Sequence, residues 1–107
     1  MTFIKTNIDE TSKKAVYRMT CGDSLKVDGV EKGTSIPVDN FALYQDGEKE
    51  VLTFTSGAHK YGTISRTFIK SFMEIVDIME GDPFSVIITG GVSKAGRSFV
   101  NCELDCA

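Results

Sequence analysis

Near the end of the chain, Ser93-Lys94-Ala95-Gly96-Arg97-Ser98-Phe99 brings together two cations and an aromatic ring. An aromatic ring on a wet face beside cations is the combination that stacks a nucleobase and neutralises its phosphate. Alternating apolar and polar runs, Phe84–Thr89 and Phe99–Leu104, flank this glycine-punctuated turn, the pattern of a β-hairpin with a loop longer than two residues. Side chains alternate across a strand, so Val100, Cys102 and Leu104 point one way and Arg97, Phe99, Asn101 and Glu103 the other. The first set is the core face, which leaves Phe99 on the polar side. The competing reading is that a neighbouring element or a partner chain covers Phe99.

A second group lies between Gly57 and Lys70, where His59, Lys60 and Tyr61 occupy a glycine-bounded loop and Arg66 and Lys70 share a helix face. No acid occurs from Ser56 to Ser71, nor from Thr11 to Gly22, which carries Lys13, Lys14 and Arg18. Tyr44 and Tyr17 are further aromatic platforms, although tyrosine serves equally well in cores. Arg18, Tyr44, Lys60, Tyr61, Arg66, Lys94, Arg97 and Phe99 are therefore the candidate residues for a cationic groove with stacking aromatics. For Arg66 and Lys70, a solvated helix face explains the charge as well.

Catalytic chemistry finds little support. His59 sits in a surface loop, and the carboxylate pairs Asp46/Glu48 and Glu80/Asp82 sit at turns without a pocket signal. Gly90, Gly91 and Gly96 lead into a strand rather than a helix, so the helix-terminal phosphate site of a nucleotide fold is not expected. Cys21, Cys102, Cys106 and His59 lack the paired spacing of a zinc site, and an odd number of cysteines excludes a complete disulfide framework. Cys102 is read as a small core residue. The expectation is a non-enzyme without metal or cofactor.

Length and composition describe one domain over residues 1–107, with 41% apolar and 25% charged residues. The net charge of −3 counts against a generic nucleic-acid binder, yet binding responds to the local field rather than to the sum. Apolar runs are short and interrupted by charge, so no membrane partner is expected. The first ten residues lack the apolar stretch of a signal peptide, which points to the cytoplasm, or to the host cytoplasm if the chain is phage-encoded.

These residues must be positioned by a few elements. Lys14–Thr20 reads as a first strand, Leu25–Val30 as a short return strand and Ile36–Gln45 as an extended segment. Asp46-Gly47 is a turn into a strand over Glu50–Ser56, and residues 57–63 form a loop. One helix is expected, from the spacing of Phe68, Phe72, Ile75, Val76 and Met79. Thr63 or Ser65 is its N-cap, Gly81 its left-handed terminus, and Pro83 stops it. Residues 1–12 read as a loosely held arm. The sum is a mainly β fold, a five-stranded oligonucleotide-binding (OB) barrel with one α-helix between the third and fourth strands. A helix laid across an open antiparallel sheet is the second architecture considered.

Thr53-Phe-Thr-Ser56, Phe68-Ile-Lys-Ser-Phe-Met-Glu-Ile75, Asp82-Pro-Phe-Ser-Val86 and Ser93-Lys-Ala-Gly-Arg-Ser-Phe99 resemble the small single-stranded DNA-binding proteins of phages infecting low-GC Gram-positive bacteria. The resemblance covers about the C-terminal half. It implies an oligonucleotide-binding barrel, often oligomeric, that coats DNA with little sequence preference. It also implies that Lys94, Arg97 and Phe99 lie on the last loop and the start of the last strand. The chain departs from bacterial members of the wider class, which carry a long acidic tail that recruits replication partners.

The expected function is non-catalytic single-stranded DNA binding in replication or recombination, with replication or recombination proteins as further partners. Unclosed sheet edges suggest a homodimer, built through Ile36–Tyr44 or the final strand. A protein-interaction module, as in a phage accessory or inhibitory protein, and a small virion structural protein are the rival functions.

Overall fold

The computed structural model describes residues 2–107 as two open sheets and two helices. The first sheet has strand order β1-β4-β5-β6-β2, formed by β1 (Thr2–Thr6), β4 (Asn40–Asp46), β5 (Lys49–Ser56), β6 (His59–Thr63) and the short β2 (Leu25–Lys26). The second has order β3-β7-β8, formed by β3 (Ser35–Val38), β7 (Phe84–Val92) and β8 (Ser98–Leu104). The helices are α1 (Lys13–Thr20) and α2 (Arg66–Met79). The fold is mainly β, as expected, but its eight strands close no barrel. Helix α2 follows the sixth strand, not the third.

The barrel fails at identifiable residues. The single extended segment expected over Ile36–Gln45 breaks at Asp39, whose neighbours β3 and β4 join different sheets. Residues 57–63 are not a loop: Gly57-Ala58 is a two-residue turn, and β6 pairs antiparallel with β5 from Ser56↔His59 to Leu52↔Thr63. Gly57 takes φ +59°, the left-handed conformation that a tight hairpin turn needs and glycine supplies without strain. Leu25–Val30 shrinks to two strand residues, which run parallel to β6, and a 3-10 turn over Val27–Gly29.

Lys14–Thr20 is a helix rather than a strand. The Ser12 hydroxyl accepts a hydrogen bond from the Ala15 amide at 3.3 Å, and Asp9 accepts from both the amide and hydroxyl of Thr11, so the chain enters α1 from an organised turn. Ala15, Val16, Met19 and Thr20 are its inward residues, a helical spacing that overrides the strand preference of Val16, Tyr17 and Thr20. Met19 packs with Ala42 and Tyr44 on one face of the first sheet.

The opposite face carries the main core. Phe41, Leu43, Leu52 and Phe54 meet Phe68, Phe72, Ile75 and Val76 of α2, with Val86, Ile88, Val100 and Cys102 joining from the second sheet. Phe54 is central: its ring stacks on Tyr61, Phe68 and Phe72 at centroid distances of 5.3, 6.1 and 5.2 Å. Helix α2 matches its sequence signals. The Ser65 hydroxyl accepts from the Phe68 amide, and both Glu80 (φ +50°) and Gly81 (φ +92°) turn left-handed after the last turn. Among the described residues no helix is long and apolar enough to cross a membrane.

Candidate nucleic-acid interface

Because side chains alternate across a sheet, Ala42, Tyr44, Thr53 and Gly62 face away from α2, and α1 covers only part of this surface. Beside α1 the uncovered part forms a groove of about 610 Å³. Tyr44, Thr53 and Lys60 lie along it, Lys26 borders it from β2, and Phe99 borders it from the start of β8. Gly62 leaves room for the Ser24 side chain on this surface: a Cβ there would stand 2.8 Å from the Ser24 hydroxyl, which would have to turn away.

Phe99 lies where strand alternation places it. It is 43% exposed while Val100 and Cys102, on the other face of β8, are buried. Its cross-strand partner is Gly91, and a Cβ on Gly91 would sit 3.5 Å from the edge of the ring, so the phenyl lies against bare backbone. No neighbouring element of the described chain closes over it completely. Behind it, a Cβ at Gly90 would collide with the Phe99 carbonyl oxygen and meet the Lys32 side chain at 2.8 Å. Gly90 is therefore needed by the close backbone approach behind Phe99, whereas a Cβ on Gly91 would make only an ordinary contact with the ring.

Lys94 and Arg97 occupy an ordered tip. The Ser93 amide donates to the Arg97 carbonyl, the Gly96 amide to the Ser93 carbonyl, and the Arg97 amide to the Ser93 hydroxyl. Gly96 takes φ +79° to close the turn. Both cationic residues are exposed, and Arg97 stands two residues before Phe99.

The other candidates divide. Tyr44 lines the groove but is only 6% exposed and meets Phe3 edge-on at 6.2 Å. Burial, with smaller contributions from Asp46 and Cys21, raises its phenol pKa, so the hydroxyl stays protonated well into the alkaline range. Lys60 also lines the groove, with its ammonium bound to the carbonyls of Arg18 and Cys21 at the end of α1. The Arg18 guanidinium donates to the Gly57 carbonyl at 2.8 Å, spanning from α1 to the β5–β6 turn. Tyr61 faces the core against Phe54 and does not reach the groove. Arg66 lines a separate recess with Glu48 and Glu50, so the structure does not bring it to Phe99.

Sequence reasoning missed Lys26 and Gly62. Lys26 belongs to a strand of two residues, too short to leave a periodic signal. Gly62 was visible as a glycine flanking a presumed loop, and only the pairing of β6 reveals the close approach it permits. The described residues contain no cluster of three or more potential metal ligands. Comparison of the chain with protein-family models, curated proteins and solved structures gives no significant match.

Proposed function

We propose that the protein is a non-catalytic single-stranded DNA-binding protein that holds DNA with little sequence preference, in replication or recombination. One observation carries this reading: the half-exposed Phe99 ring, laid against Gly91, borders the same groove as Lys26 and Lys60. Such a ring stacks on any base, since every base has a π-face, and contributes about 1–3 kcal/mol per contact. Lys26 is exposed beside the groove, and Arg97 and Lys94 extend the positive charge beyond Phe99. Single strands suit this site because their bases are free to lie on the ring, whereas duplex bases are occupied by their own stacking.

The test is a titration of fluorescent oligo-dT and of duplex of equal length at several salt concentrations. Binding to oligo-dT is expected to exceed binding to duplex and to weaken as salt rises, because each neutralised phosphate releases counterions. No binding to oligo-dT at low salt and micromolar protein refutes the proposal. The rival, a protein-interaction module, draws on the exposed Ile64, which lines the groove together with Phe99. It takes precedence if oligo-dT fails to bind.

A further inference from the structure

The two ends of β7 carry opposite charge. At its start lies a cleft of about 690 Å³ with an apolar floor of Val38, Phe41, Val76 and Phe84. Asp39, Asp77, Glu80 and Asp82 line it, against a single cation, Lys5. Lys5 is paired with Asp77 at 3.0 Å, and Asp39 accepts from the Gly57 amide at 2.7 Å. Glu80 and Asp82 make no ion pair among the described residues. At the far end of β7 is the hairpin tip with Lys94 and Arg97, also without ion pairs among the described residues, and with Val92 70% exposed at its base. No acid occurs anywhere from Phe84 to Asn101. Nine residues of strand separate cleft and tip by about 26 Å at about 3.3 Å per residue step.

We propose that the hairpin tip of one copy docks in the cleft of the next, so that copies of this chain associate head to tail along the direction of β7. The charges match: the tip presents two free cations, the cleft two free carboxylates and two more already engaged. Val92, exposed beside the tip cations, supplies an apolar group for the floor of Val38, Phe41 and Phe84. No single chain can satisfy both ends, because one straight strand holds them apart. A second copy carries the complementary surface by construction. Joining unlike surfaces without a closing rotation generates an open chain rather than a two-fold dimer. The contact is small and polar, in the size range of weak, transient interfaces below about 1,200 Å². The inference does not depend on DNA binding, since it concerns the free protein.

Sedimentation equilibrium of the full chain without DNA tests it. At low salt the weight-average mass is expected to rise with concentration past that of a dimer. At about 1 M salt, where the screening length falls to about 3 Å, it should return to the monomer. Lys94→Glu/Arg97→Glu and Glu80→Lys/Asp82→Lys, all at exposed positions, should each be monomeric at low salt, with circular dichroism confirming the fold. Their equimolar mixture should associate again, because each supplies the charge the other has reversed. A wild type that stays monomeric, or that levels off at a dimer, overturns the inference. So does a variant that associates like the wild type, or a mixture that remains monomeric.

Discussion

The Lys60 ammonium donates a hydrogen bond to the carbonyl of Arg18 at 2.9 Å, joining two residues 42 apart in the chain. A second bond from the same ammonium reaches the Cys21 carbonyl. The end of α1 is thereby satisfied largely from outside: Thr53 donates to the Met19 carbonyl, while the Tyr17 carbonyl accepts from the Cys21 amide of the helix's own last turn. The last carbonyls of a helix lack intrahelical partners and carry partial negative charge, so a cation there is stabilising. Lys60 thus holds α1 against the sheet beside the groove.

Lys60→Met, which keeps the aliphatic stem and removes the charge, is expected to cost about 1–2 kcal/mol of stability, the range for a charge at a partly buried helix terminus. Thermal unfolding measures it. Oligo-dT affinity of the folded variant should fall less than in Phe99→Ala, because the ammonium is already engaged by protein carbonyls.

How much of this was legible in the sequence depended on whether a signal was local. Helix α2 could be read because its apolar stripe, Ser65 cap and Gly81-Pro83 stop all lie within its own segment. The exposed side of Phe99 could be read because β8 alternates cleanly. Helix α1 could not: its eight residues bury Met19 alone, and its cap at Ser12 lies just outside the segment judged by strand propensity. The division of Ile36–Gln45 between two sheets depends on pairing with Phe84–Ile87 on one side and Lys49–Thr55 on the other, which no local pattern contains. The groove was half legible for the same reason. Phe99 and the cations were recognisable by type, but Tyr61 and Lys60 alternate on one strand, and their faces followed only once that strand was recognised.

Phe99→Ala should weaken oligo-dT binding by about 1–3 kcal/mol, the range for one lost aromatic–base contact. Its melting temperature should change little, since much of the ring is already in water. Arg97→Ala should act differently, lowering the slope of affinity against salt by about one unit, as one lost phosphate contact does. Melting and binding measured on the same samples separate the two. A strongly destabilised Phe99→Ala with normal binding would assign the ring to packing instead.

Cys102 is buried on β8, and burial pushes its thiol from 9.0 up to about 12, whereas Cys21 and Cys106 are exposed. A thiol-reactive chromogenic reagent should therefore titrate two thiols in the native protein and the third only on unfolding. Between about pH 9 and 12 the folded state keeps a proton that the unfolded thiol releases. Stability accordingly falls as pH rises through this window. Cys102→Ala lacks this dependence, so its stability deficit against the wild type should narrow from pH 8 to pH 10 in denaturant titrations. A constant deficit would show that the buried thiol does not contribute to the alkaline loss.

The close approach at Gly62 offers a test of how the groove is built. A methyl group added there would stand 2.8 Å from the Ser24 hydroxyl but 3.5 Å from the Ser24 Cβ, and 3.7 Å from Thr53. The conflict is thus with one oxygen atom. Gly62→Ala should destabilise the fold by forcing the Ser24 hydroxyl out of its place, whereas adding Ser24→Ala removes the clash and leaves an ordinary contact. The double variant is expected to be more stable than Gly62→Ala by about 1 kcal/mol, within the usual coupling of touching residues. Denaturant unfolding of the wild type, both single variants and the double variant completes the cycle. Additive effects would mean that the Ser24 hydroxyl does not oppose a side chain at position 62.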